Sequence, residues 1–163
     1  MSQDPAFTLR AAEPRDLHEL VRLIGALADY EQLTHLLEVT PEKLQPHLFG
    51  ERPVAEAMVA EVDGAGVVGF ALFFTNFSTF LCRPGLYLED LFVLPAHRGC
   101  GIGKALLRAL GALAVQRGCG RFEWSVLDWN EPAIRFYEAM GASVLPDWRI
   151  CRVSGEVLQG FVR

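Results

Sequence analysis

Hydrophobic positions repeat along the chain with two different periods, and the period predicts which segments are helices. Apolar residues recur three and four positions apart in segments 13–30 and 101–117, so each predicted helix has one apolar face. Pro14 stands in the first turn of the earlier helix, where its missing N–H has little cost. A shorter helix is predicted over residues 40–48, which begins with a Thr-Pro cap, and another over residues 131–140.

The predicted strands are shorter and richer in β-branched and aromatic residues. They cover Phe7–Arg10, Ala57–Val62, Val67–Phe74, Leu86–Val93, Arg121–Val126, Ala142–Leu145 and Trp148–Val153. Asp63-Gly64 joins the second and third strands and is a hairpin signal. The chain shows no internal repeat and no linker. The order of elements therefore predicts one α/β domain over residues 1–163, mostly antiparallel at first, with a β-α-β unit near residues 86–126.

Composition narrows the class of protein. A chain of 163 residues with 51% hydrophobic residues is long enough to bury a core. No apolar run approaches the ~20 residues that span a bilayer, and the N-terminus lacks a secretory signal, so we expect a soluble cytoplasmic protein that does not act at a membrane. The net charge of −5 argues against broad nucleic-acid binding and mildly favours a cationic substrate. The cysteines and histidines lack metal-ligand spacing, so we expect no metal.

The segment 86–104 is the most informative part of the chain. It reads as a buried strand, a turn with glycine at alternate positions, and the start of the long helix. Such a turn directs backbone N–H groups and the positive end of the helix dipole at one spot, which favours a phosphate or pyrophosphate. Gly99, Gly101 and Gly103 remove side chains that would block the approach.

Two common phosphate-binding motifs do not fit this turn. A Walker loop requires Ser or Thr where Ala105 stands, and glycine where Arg98 stands. A dinucleotide fingerprint lacks its third glycine in either register, and too little chain follows for a doubly wound sheet. The remaining pattern is Arg98-x-x-Gly101-x-Gly103.

That pattern resembles the acetyl-CoA signature of the GNAT acetyltransferases. The segment 129–142, with its Asn-Glu-Pro and Phe-Tyr groups, resembles their second motif at the right separation. Segments 22–31, 87–90 and 129–130 resemble the diamine and thialysine acetyltransferase group, and the resemblance covers nearly the whole chain. It implies a central twisted mixed sheet flanked by helices, and a homodimer.

The resemblance also implies how acetyl-CoA is held. The pyrophosphate would lie against the amides of the glycine turn, and the pantetheine arm would bond to the main chain of the preceding strand like an added strand. The residues implied for the co-substrate are Leu91, Phe92, Val93, Arg98, Gly99, Cys100, Gly101, Ile102, Gly103, Lys104, Asn130 and Ala133. Asn130 is equally well explained as a helix cap.

Acyl transfer to an amine needs one group that takes a proton from the ammonium and another that protonates the departing thiolate. The resemblance gives Glu89 the first task, either as base or as a binder of the cation, and gives Tyr137 the second. Tyr30 and Glu31 match positions that meet the amine, and Asp90 is a second candidate for the role of Glu89. Packing and an exposed strand face are the simpler explanations of these side chains.

The function that the resemblance implies is acetyl transfer to a primary amine of a small molecule. The transfer is expected to be direct, because no Ser or Cys nucleophile is paired with a base. Residues 76–85 contain no carboxylate and include Arg83, unlike the polyamine enzymes. This favours a lysine-like amino acid such as thialysine, or a short diamine. The alternatives are acetylation of a protein or peptide lysine, and an acyl-CoA sensor without activity. The presence of both Glu89 and Tyr137 argues against the sensor.

Overall fold

The computed structural model describes residues 6–162. Two compact units are present, one ending at Ser125 and the other beginning at Val126. The strands of the first unit are β1 (Phe7–Ala11), β2 (Glu56–Val62), β3 (Gly66–Ser78), β4 (Arg83–Val93) and β5 (Arg121–Trp124). Its helices are α1 (Leu17–Tyr30), α2 (Pro41–Phe49) and α3 (Ile102–Gln116). The prediction of a single domain over the whole chain stays a prediction.

The first unit is built on a five-stranded mixed sheet in the order β1-β2-β3-β4-β5. Strands β1 to β4 are antiparallel to their neighbours, and β5 is parallel to β4. Parallel neighbours require a crossover, and α3 provides it. The predicted α/β class, with its antiparallel start and later β-α-β unit, is confirmed.

The two faces of the sheet are covered by different helices. On one face, α1 and α2 pack on a buried cluster that includes Phe70, Leu72 and Phe92. On the other face, α3 packs on β3 and β4 through a buried stripe. The stripe consists of Ile102, Leu106, Leu107, Leu110 and Ala114. Their spacing is the helical period read from the sequence, since only one side of α3 meets the sheet.

A bulge in β4 changes which side chains reach which face. Leu72 of β3 pairs with Asp90, whereas the next residue, Phe73, pairs with Leu88. Glu89 is therefore the extra residue of β4. Paired residues share a face and successive residues alternate, so Asp90 lies on the opposite face from Leu88. The bulge thus places Asp90 on the face covered by α1 and α2.

The second unit contains the helices α4 (Glu131–Ala139) and α5 (Gly155–Gln159). The strands predicted over 142–145 and 148–153 are wrong, since both segments lack regular structure and are largely exposed. Their apolar residues mimic a strand pattern, but a strand needs a partner and residues 126–162 contain no strand. No helix among residues 6–162 is long and apolar enough to cross a membrane.

Candidate active site

The glycine turn before α3 has the geometry that the sequence predicts for an anion site. Gly99 and Gly101 both have φ of +82°, which side-chain-bearing residues rarely adopt, and Gly101 is the N-cap of α3. Among residues 6–162, no acceptor takes a hydrogen bond from the backbone N–H groups of residues 99–104. These donors lie at the positive end of the helix dipole.

The surroundings of the turn also suit a phosphate group. Space is open where a side chain would project from Gly99 or Gly101, and the first turn of α3 carries no acid. The predicted residues from Gly99 to Lys104, including Cys100, Ile102 and Gly103, are thus consecutive members of one donor-rich turn. A pyrophosphate would supply the acceptors that these N–H groups lack.

Arg98 is engaged with the protein itself. Its Nε donates a hydrogen bond to the carbonyl of Val93, the last residue of β4, at 2.9 Å. Its guanidinium carbon lies 5.1 Å from the ring centroid of Tyr30 and 5.3 Å from that of Phe92. Both distances are within cation–π range. The side chain therefore links the end of α1, the end of β4 and the glycine turn, a role that the sequence pattern does not reveal.

The outer edge of β4 is available for an added extended chain. Strand β5 is only four residues long, and its last residue, Trp124, pairs with Leu88. Within residues 6–162 no strand pairs with β4 beyond that point on this side, so the edge from Glu89 to Val93 is open. Leu91, Phe92 and Val93 lie on this edge, which leads to the glycine turn. An extended amide-bearing arm would fit it by strand addition.

Carboxylates collect on the α1 side of this edge. Burial raises the pKa of Asp90 to about 7, and the negative charges of Glu89 and Glu31 contribute to the same shift. Glu31 directly follows α1 and is partly buried, which raises the pKa of its carboxyl. Glu89 is the exposed member of the group. Because these negative charges repel one another, the cluster favours a cationic ligand.

The second unit holds the remaining predicted residues. Asn130 is buried, and its side chain accepts a hydrogen bond from the Ala133 N–H at 3.4 Å, which caps α4. The capping role predicted for Asn130 is therefore confirmed. Tyr137 lies in α4 with its ring 5.3 Å from that of Phe136.

Comparison with known protein families shows which family the chain belongs to. Residues 22–142 match the model of the Acetyltransferase (GNAT) family. The chain belongs to the GNAT family. It is thus an N-acetyltransferase that uses acetyl-CoA, as the glycine turn and the segment around Asn130 predict.

Individual GNAT proteins resemble the chain over most of its length. L-ornithine N5-acetyltransferase of Arabidopsis thaliana is 34% identical, over 94% of this chain and 86% of its own. Thialysine N-epsilon-acetyltransferase of Mus musculus is 35% identical, over 93% of this chain and 94% of its own. The structure of an integron cassette protein from the mobile metagenome of V. cholerae superposes with a TM-score of 0.80 at 25% identity, over 96% and 98% of the two chains. The predicted resemblance to the diamine and thialysine group of GNAT enzymes is confirmed.

Proposed function

We propose that this enzyme transfers the acetyl group of acetyl-CoA directly to a primary amine of a small molecule, either a lysine-like amino acid or a short diamine. The observation that carries the proposal is a cluster of three carboxylates, Asp90 and Glu89 in β4 and Glu31 directly after α1, in which Glu89 and Glu31 act electrostatically on Asp90. An ammonium ion is the ligand that such a group attracts. Relatives named for ornithine and thialysine support the same class of substrate.

In this proposal acetyl-CoA lies along the first unit from the glycine turn to the β4 edge. The N–H groups of residues 99–104 bind the pyrophosphate, and the main chain of Leu91–Val93 binds the pantetheine arm. Asn130 and Ala133 contact the co-substrate by the family resemblance. Tyr30 and Glu31, at the end of α1, meet the amine.

The chemistry is one direct transfer. A carboxylate takes a proton from the substrate ammonium, and the neutral amine nitrogen then forms a bond to the thioester carbonyl carbon. The carbon–sulfur bond breaks, and Tyr137 donates its phenolic proton to the thiolate, which leaves as free CoA. The nitrogen loses its second proton as the amide forms, and that proton returns to the Tyr137 phenolate through solvent. Tyrosine suits this task because its ordinary pKa of ~10 keeps it protonated at neutral pH.

The turn between β3 and β4 bears on the length of the substrate. Residues 76–85 contain no acid, and Arg83 is exposed at the start of β4. A long polyamine would therefore meet a positive charge there in place of a carboxylate. Ornithine, lysine, thialysine and putrescine are the substrates we expect, with spermidine weaker. We further propose a cytoplasmic homodimer that folds as one domain, needs no metal and binds neither nucleic acid nor membrane.

The test is release of the CoA thiol from acetyl-CoA by the purified protein, with lysine, thialysine, ornithine, putrescine, spermidine and a lysine-bearing peptide as acceptors. We expect turnover with the small amines. Turnover with the peptide alone would assign the enzyme to protein acetylation. Acetyl-CoA binding without turnover for any acceptor would indicate a sensor.

Tyr137→Phe tests the proposed acid. We expect kcat to fall by roughly 10²–10⁴-fold because a general acid contributes on this scale. Tyr87→Phe is the matched control, since it removes a hydroxyl that bonds to Ser125 Oγ at 2.8 Å and that we assign no chemical role. Equal kcat in Tyr137→Phe and wild type would remove Tyr137 from the mechanism.

A further inference from the structure

We infer that Arg121 binds the carboxylate of the substrate, so that the enzyme acts on a lysine-like amino acid in preference to a diamine of the same length. The inference rests on the proposed function, because it names the substrate class of that same site. The carboxylate cluster attracts the amine that is acetylated, and Arg121 meets the opposite end of the molecule.

The first reason is the position of Arg121 on the sheet. Asp90 lies on the face covered by α1 and α2, and so does Phe74, which lies two residues beyond the partner of Asp90 in β3. Phe74 pairs with Tyr87, and Tyr87 pairs with Glu123, two residues from Arg121 in β5. Paired residues and alternate residues of a strand share a face. One face of the sheet therefore has Asp90 at one end of this series and Arg121 at the other.

The surface between these two ends is apolar and partly open. The rings of Phe74 and Tyr87 are half-buried and lie with their centroids 5.1 Å apart. Tyr87 is three residues from Asp90 along β4, and one of these is the bulge, so the separation is roughly 7–10 Å at about 3.3 Å per residue. The side-chain nitrogen and the carboxylate of an extended lysine are roughly 7 Å apart. An amino acid of this length therefore fits along the aromatic pair.

The second reason is the state of the Arg121 guanidinium. Its Nε pairs with a carboxylate oxygen of Glu123 at 2.6 Å, and the same oxygen accepts a hydrogen bond from Asn76 Nδ2 at 3.5 Å. Among residues 6–162, no acceptor takes a hydrogen bond from Nη1 or Nη2 of Arg121, which is exposed. Glu123 thus holds the guanidinium in place and leaves its two terminal nitrogens available. Such a pair of donors matches the two oxygens of a carboxylate.

The third reason is the distribution of charge over this face. The carboxylate cluster makes one end negative. The other end holds Arg121 and also Arg83, an exposed residue that alternates with Tyr87 in β4 and so shares its face. A diamine brings a second positive charge to that end, where the arginines repel it. An α-amino acid brings a carboxylate for Arg121 and an α-ammonium for the neighbouring Glu123, so its charges are complementary at both ends.

The experiment compares substrates that differ in the carboxylate. Ornithine is putrescine with one added carboxylate, and lysinamide has an uncharged amide in place of the carboxylate of lysine. We expect wild-type kcat/KM for ornithine to exceed that for putrescine by about tenfold, the scale of one charge-assisted hydrogen bond, and lysine to exceed lysinamide likewise. Equal kcat/KM within both pairs of substrates would overturn the inference.

Arginine variants then assign the preference to a side chain. Arg121→Gln should lower kcat/KM for ornithine about tenfold and leave that for putrescine unchanged, because putrescine has no carboxylate. Arg121→Lys keeps the charge without the paired donors and should lose part of the preference. Arg15→Gln, which breaks the exposed ion pair with Glu13, is the matched control and should keep the full preference.

The ratio of the two kcat/KM values separates binding of the carboxylate from a merely structural role. A loss of folded protein lowers both values equally and leaves their ratio as it was, whereas a lost carboxylate contact changes the ratio. A preference for ornithine that Arg121→Gln and Arg121→Lys both retain in full would overturn the inference. Silence of wild type with every amine would overturn the proposed function itself.

Discussion

The side chain of Arg98 offers a direct test of how the proposed acetyl-CoA site is held in shape. We propose that it keeps the glycine turn in position instead of pairing with a phosphate as a simple charge. Its Nε donates to the Val93 carbonyl, and its guanidinium carbon lies within cation–π distance of the rings of Tyr30 and Phe92. Arg98→Ala removes all three contacts, and Arg98→Lys keeps only the charge.

The size of the effect follows from those contacts. A hydrogen bond from a charged donor contributes about 1.5 kcal/mol, at the low end of its range because Arg98 is exposed. The two cation–π contacts at 5.1 and 5.3 Å add about 0.5 kcal/mol each, again the low end of the range because the Arg98 side chain is exposed. The sum is about 2.5 kcal/mol, and if all of it orders the turn, acetyl-CoA should bind roughly 60-fold more weakly to Arg98→Ala.

The assay is calorimetric titration of acetyl-CoA into wild type, Arg98→Ala and Arg98→Lys. Thermal unfolding of each protein confirms that it is folded. We expect Arg98→Lys to recover only part of the loss and to remain about tenfold weaker than wild type, because an ammonium cannot both bond to the Val93 carbonyl and stack on two rings. A Kd for Arg98→Lys within twofold of wild type would refute this reasoning and assign Arg98 to the phosphate.

Two other changes probe the stability of the fold and the backbone of the glycine turn. Arg10→Met leaves the carboxylate of Asp16 without its cation, although Asp16 is only 4% exposed and accepts hydrogen bonds from Arg10 at 2.7 and 2.9 Å. This variant should lower the free energy of unfolding by about 3 kcal/mol, measured by denaturant unfolding at pH 7. The control Arg15→Met breaks an exposed ion pair and should lower it by at most about 1 kcal/mol. The hydrogen bond from Arg10 lowers the pKa of Asp16, so the ion pair stabilises the folded state fully above pH ~4 and less as acid protonates Asp16. A stability difference between wild type and Arg10→Met that grows toward low pH would contradict this. Gly101→Ala forces a residue with a side chain to adopt φ +82° and should weaken acetyl-CoA binding several-fold. Gly111→Ala is the control: it lies inside α3 with open space around it, so it should stabilise the fold and leave binding unchanged. Equal affinities of the two variants for acetyl-CoA would show that the glycine turn does not bind it.

Much of the fold could be read from local patterns. The apolar stripe of α3 repeats every three or four residues, and the same residues are buried against the sheet. The Thr40 cap of α2 was visible in the same way, because its hydroxyl accepts from the nearby Lys43 N–H. The apolar alternation of residues 142–153 was misleading, since it resembles a strand without specifying a partner.

The features of the candidate site likewise fall into two groups, those that local sequence predicts and those that it does not. The donors of the glycine turn depend on residues 98–104 alone, because helix starts and positive φ angles are decided within a few residues. The sequence also placed two adjacent acids, Glu89 and Asp90, in a strand that is otherwise largely apolar.

Which of the two acids lies on the face covered by α1 and α2, however, depends on the register between β3 and β4. The extra residue at Glu89 moves the residues that follow it in β4 to the opposite faces of the sheet, and the sequence of β4 alone does not predict this bulge. The contact of Arg98 with Tyr30 and Phe92 likewise joins residues that only folding brings together. The sequence by itself thus determined the longer helices, the glycine turn and the family, because these depend on neighbours along the chain. The tertiary structure decided the orientation of Asp90 and the place of Arg98, because both depend on partners that are distant in sequence.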